Sequence, residues 1–99
     1  MPQIKINGLN IEVATEGQGR DVVLLHGWRQ RMIMMEPAYN HLKKHFRVFN
    51  FDFPGFGQSD EPPAAWGVPE YREFLEAFCQ SFDIQDPILI GHSFGCRVA

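Results

Sequence analysis

The chain has 99 residues, a hydrophobic share of 44%, a charged share of 21% and nine Phe, which fits one folded unit and excludes both wholesale disorder and two separate cores. A net charge of −3, with the nine Lys and Arg scattered along the sequence, removes the basic stripe that nucleic-acid binding requires. Cys79 and Cys96 are too few for a disulfide scaffold and have no metal-ligand spacing, so a reduced, cytoplasmic setting without metal is expected. No basic segment followed by an apolar run opens the chain, and no apolar stretch is long enough to cross a membrane.

Ile4-Lys5-Ile6 and Leu9-Asn10-Ile11-Glu12-Val13 alternate with period two around Asn7-Gly8, the signature of a β-hairpin. Asp21-Val22-Val23-Leu24-Leu25 is apolar without alternation, as expected of a strand covered on both faces. After the loop that starts His26-Gly27-Trp28, Met35, Tyr39, Leu42 and Phe46 fall at helical spacing, with Pro37 near the start and Lys43, Lys44 and His45 in the last turn. Arg47 to Asp52 reads as a second internal strand. Phe53 to Pro69 holds four of the seven prolines and reads as loop. Tyr71, Phe74, Leu75, Phe78 and Phe82 then mark one face of a helix that opens at Pro69. Pro87 to Gly91 is a third buried strand, and Ser93 to Ala99 begins another helix. Alternating strands and helices imply an α/β chain, a three-layer arrangement of a mostly parallel sheet with helices on both faces and the N-terminal antiparallel hairpin at one edge.

Gly91-His92-Ser93-Phe94-Gly95 is a GxSxG pattern directly after an apolar strand and before a helix start. A serine on so tight a turn takes a strained backbone conformation. Glycines two residues to either side remove the Cβ atoms that would collide there. In this arrangement an oxyanion is held by two backbone N–H groups: that of the residue after the serine, Phe94, and one from the loop after an earlier strand, Trp28. His26 and Gly27 shape that loop, and His26 is equally a packed core residue. Gly17-Gln18-Gly19 precedes a strand instead of opening a helix, so it carries no dinucleotide, and no cofactor is expected.

Three ordered motifs, His26-Gly27-Trp28, Asp52-Phe53-Pro54-Gly55-Phe56-Gly57-Gln58-Ser59-Asp60 and Gly91-His92-Ser93-Phe94-Gly95, make the chain resemble the amino-terminal half of an α/β-hydrolase fold serine hydrolase. The resemblance runs from the first hairpin to the last residue. It implies that residues 1–99 are the amino-terminal part of an α/β-hydrolase domain, with the lid and the carboxyl-terminal half lying beyond them. It implies further that Ser93 is the nucleophile of ester or acyl hydrolysis. Dehalogenase and epoxide-hydrolase relatives place Asp at that position, which argues against those chemistries here. The family order of serine, acid, then histidine leaves only six residues after Ser93, none of them His, Asp or Glu. His92 is expected to point away from Ser93, His41 and His45 to be solvated, and Asp52 and Asp60 to stand outside the triad. The chain alone is therefore expected to be inactive.

Several expectations remain open on the sequence. Arg29 and Arg31 either border the pocket mouth or stand in solvent, and Met32, Met34 and Met35 fill the core or line an apolar pocket. A small acyl substrate is the expected partner, together with a complementary carboxyl-terminal segment or a second copy; neither nucleic acid nor membrane is expected. The rival readings are a non-catalytic fragment or interaction module that keeps the elbow, and a cofactor-free oxygenase-like relative. The apolar strand Ile88 to Ile90 is expected to be an aggregation-prone edge.

Overall fold

A computed structural model describes residues 3–99. Its five-stranded sheet contains β1 (Gln3–Ile6), β2 (Leu9–Glu16), β3 (Asp21–Leu25), β4 (Arg47–Phe51) and β5 (Ile88–Gly91) in the order β1-β2-β4-β3-β5. Asn7 and Gly8, with φ of 51° and 82°, form the mirror-image turn whose twist matches that of the hairpin strands. The hairpin is antiparallel and joins β4 antiparallel through β2, whereas β3 pairs parallel with both β4 and β5. The hairpin thus sits at one edge, as the alternation predicts, and β2 runs on to Glu16.

The period of two along β3 and β4 sorts the core into two layers. Val23, Leu25, Phe49 and Phe51 face α2 (Val68–Ser81), whose Tyr71, Phe74, Leu75 and Phe78 are all buried. Phe51 and Phe78 stack with ring centroids 4.3 Å apart. Val22, Leu24 and Val48 face the other way, with Met32 and with Tyr39 of α1 (Glu36–Leu42). On that same face the alternation carries two polar residues inward, Asn50 and Asp52, which are 3% and 2% exposed.

The helix expected over Met35 to Phe46 is shorter. A 3-10 turn over Met32–Met35 leads into α1, which closes at Leu42, because Phe46 must turn the chain for β4 to begin at Arg47. Phe46 still packs on the Val22 layer, from the loop. Arg47 opens β4 with two hydrogen bonds to the Asp21 carboxylate at the start of β3, a forked pairing that fixes the parallel register. The segment between β4 and α2 contains no helix or strand, as its prolines require. A short helix, α3 (Phe94–Val98), follows β5, and no described helix is long and apolar enough to cross a membrane.

Candidate active site

Ser93 lies between β5 and α3 at φ 54° and ψ −110°, a left-handed conformation that costs a non-glycine residue of order 1–3 kcal/mol. The flanking glycines explain how the turn closes. A Cβ on Gly91 would lie 2.6 Å from the Cys96 nitrogen, and one on Gly95 would overlap the Leu25 carbonyl at the end of β3. Neither overlap can be relieved by a flexible side chain, since the obstructing atoms are backbone. The His92 N–H donates to that same Leu25 carbonyl, at 3.0 Å, which ties the turn to the centre of the sheet.

The loop after β3 is built around His26 and Gln30. His26 is fully buried; its Nε2 accepts the Phe53 N–H at 3.0 Å, so its proton is on Nδ1, which donates to the Gly27 carbonyl at 2.8 Å. Burial pushes its pKa below 6.5, outweighing the Gly27 carbonyl and the Asp52 charge. With both ring nitrogens engaged, His26 is a neutral strut of the loop and not a proton acceptor. Gln30 closes the turn twice: its Oε1 accepts the Gly27 N–H and its own N–H donates to the Gly27 carbonyl, both at 3.1 Å. The next peptide, at Trp28, is left with its N–H unpaired among the described residues, as is the N–H of Phe94. The Trp28 and Phe94 rings meet edge to face at 5.1 Å, so the two free donors belong to neighbouring residues across the mouth of the site.

Ser93, Phe94 and Trp28 line one cavity of about 670 Å³, together with Trp66, Val68 and Arg97. All three residues assigned direct roles are thus brought together. The supporting positions His26, Gly27, Gly91 and Gly95 do not line that cavity; they shape the two turns that carry Trp28 and Ser93. His92 is exposed, and its Nδ1 rests against Gly27. Trp66 and Arg97 were not singled out by sequence reasoning. Trp66 falls in the proline-rich loop, where only its being one of two tryptophans marks it. Arg29 and Arg31 are exposed, and neither lines this cavity. Met32 packs in the core and Met34 is 58% exposed, so no methionine lines it either.

The second motif is a brace. The Asp52 carboxylate accepts the Met32 N–H at 2.6 Å and the Gln58 N–H at 3.0 Å, while Ser59 Oγ donates to the Asp52 carbonyl at 2.7 Å. Asp60 accepts the Asn10 N–H at 2.8 Å and so ties the loop to β2. Both carboxylates are committed to backbone amides. The described residues contain no group of His, Cys, Asp and Glu able to hold a metal.

Residues 22–99 match the sequence profile of the Alpha/beta hydrolase family. The chain belongs to that family. A pimeloyl-[acyl-carrier protein] methyl ester esterase of Vibrio vulnificus is 43% identical over 85 residues, covering 86% of this chain and 31% of the relative. The AB hydrolase superfamily protein YisY of Bacillus subtilis is 33% identical over 84 residues, 84% of this chain and 31% of that protein. Among solved structures, a thermophilic esterase from Thermogutta terrifontis superposes with a TM-score of 0.90 at 27% identity, over 99% of this chain and 39% of that one. The chain therefore spans about a third of the length of these alpha/beta hydrolase relatives. An epoxide hydrolase, CorEH, superposes equally well, at 0.91 and 28% identity, so the fold is shared across hydrolases of different chemistry.

Proposed function

We propose that Ser93 is the nucleophile of an ester or acyl hydrolase whose base and orienting acid lie outside these 99 residues. The observation that carries this reading is the conjunction at one cavity of a strained, exposed serine and two unpaired N–H groups, on Trp28 and Phe94. In this mechanism Ser93 Oγ attacks the carbonyl carbon as the base takes its proton. The carbonyl oxygen becomes an oxyanion facing the Trp28 and Phe94 donors, and the alcohol leaves with the proton the base returns to it. Water, activated by the same base, then releases the acid and frees Ser93. Each N–H strengthens its hydrogen bond as charge develops on the oxygen, and losing one such donor typically lowers kcat by about 10²–10³.

Two features favour acyl chemistry within the family. A serine, and not an aspartate, stands at the elbow, and the esterase relatives include the 43% identical one. The Trp28, Trp66 and Phe94 rings suit an apolar acyl chain, with a small-molecule ester as the substrate class and no cofactor in the chemistry. The remaining strands, the lid and the triad partners belong to a carboxyl-terminal segment, in a cytoplasmic setting. p-Nitrophenyl butyrate hydrolysis tests the reading. The chain joined to a carboxyl-terminal half that supplies His and acid should turn over the ester, and Ser93→Ala should abolish turnover. Undiminished turnover in the Ser93→Ala protein would sink the assignment.

A further inference from the structure

Among the described residues, Arg97 alone brings a charge to the Ser93 cavity, whose remaining lining is Trp28, Trp66, Gly67, Val68 and Phe94. Helix geometry carries it there. Arg97 follows Ser93 by four residues, just over one turn of α3, and residues at that spacing share a face with Cβ atoms about 5–6 Å apart. Helical side chains also lean toward the N-terminus of their helix, here toward Ser93. The guanidinium has no hydrogen-bond or ion-pair partner among the described residues. Glu70, the acid nearest in sequence to the lining at the start of α2, is folded back on its own helix, where its Oε1 accepts the Gly67 N–H at 2.7 Å. The Trp28 and Phe94 N–H donors add to the cation instead of offsetting it, so the lining is net positive although the chain carries −3.

That charge selects among esters. The fork of a guanidinium matches a carboxylate in charge and in two parallel hydrogen bonds, whereas a phosphate dianion would leave one charge uncompensated beside a single cation. The Trp28, Trp66 and Phe94 rings and Val68 suit the methylene chain that would join an ester carbonyl at Ser93 to a carboxylate at Arg97. A plain alkyl ester leaves the guanidinium to water and gains nothing from it, and an ammonium in the carboxylate's place is repelled.

We infer that Arg97 determines specificity, and that the substrate class is a short half-ester of a dicarboxylic acid, its free carboxylate held by the guanidinium while the ester carbonyl meets Ser93. The inference rests on the proposed function for the position of the ester. Kinetics on the chain joined to a carboxyl-terminal half compare monomethyl adipate with methyl hexanoate and methyl 6-aminohexanoate, the neutral and cationic counterparts of similar length. Monomethyl adipate should have the lowest KM, and Arg97→Gln should cut its preference over methyl hexanoate roughly tenfold, through KM more than kcat, with Arg97→Lys retaining part of it. In the same protein, NMR of the Trp28 and Trp66 indole N–H groups follows binding of 6-oxoheptanoate and 2-heptanone, which carry no ester to cleave. The keto acid should bind more tightly than the ketone, and Arg97→Gln should remove the difference. Equal binding of the two, unchanged affinity for the keto acid in Arg97→Gln, or a preference for monomethyl adipate that survives Arg97→Gln would overturn the inference while ester turnover left the proposed function standing. Arg97-dependent binding of the keto acid by a protein that turns over no ester would support the anion selection and overturn the proposed function instead.

Discussion

Ser93 is held in a strained backbone conformation. Its φ of 54° is one glycine adopts freely, so Ser93→Gly should stabilise the fold by about 1 kcal/mol while removing the hydroxyl proposed as the nucleophile. Urea denaturation checks this, and a loss of stability would show that the serine side chain holds the turn by some other means. His26 makes a second residue-scale prediction. Its folded pKa lies below its unfolded value of 6.5, so below pH 6.5 the unfolded chain takes up a proton that the folded chain refuses. Its contribution is fully present above pH 6.5 and is lost as pH falls toward the folded pKa, with a slope of at most ~1.4 kcal/mol per pH unit. Unfolding midpoints between pH 7 and 5 should fall less steeply in His26→Gln, whose amide oxygen can still accept the Phe53 N–H.

At the scale of elements, α2 is held by an aromatic layer more than by its caps. Phe78 is fully buried and meets Phe51, Phe49, Phe74 and Phe82 with ring centroids between 4.3 and 6.4 Å. Phe78→Ala should cost about 3–5 kcal/mol, enough to unfold a domain of ordinary stability, whereas an exposed change such as Glu73→Gln should leave the thermal midpoint within a few degrees. The stripe that sets this layer is legible in the sequence, because five apolar residues at helical spacing have one interpretation. The α1 region is less so: Phe46 continues the helical spacing, yet it packs on the same layer from a turn, and periodicity alone does not separate the two. The elbow is legible because glycine, serine and glycine at fixed spacing answer a steric problem. Trp66 and Arg97 reach the Ser93 cavity through the loop path and the turn of α3, neither of which has a local signature.

For the whole molecule, the asymmetry of the sheet is the governing fact. The hairpin closes one edge with a polar, alternating strand, whereas β5 pairs only with β3 among the described residues and its four positions are half-buried. An apolar edge strand recruits another strand. The 99-residue chain in isolation should therefore self-associate in size-exclusion chromatography, and Ile88→Lys or Leu89→Lys should reduce the association; a sharp monomeric peak for the unaltered chain would contradict this. The same strand delivers Ser93 to the cavity, so whatever pairs with β5 also steadies the proposed nucleophile. The central claim is that Ser93 is the residue acylated during turnover. Mass spectrometry of the protein, supplied with its His and acid and treated with a fluorophosphonate, tests it most directly. A single phosphonylated residue at Ser93, absent from Ser93→Ala, is the result predicted; modification at any other residue, or undiminished labelling of Ser93→Ala, would contradict it.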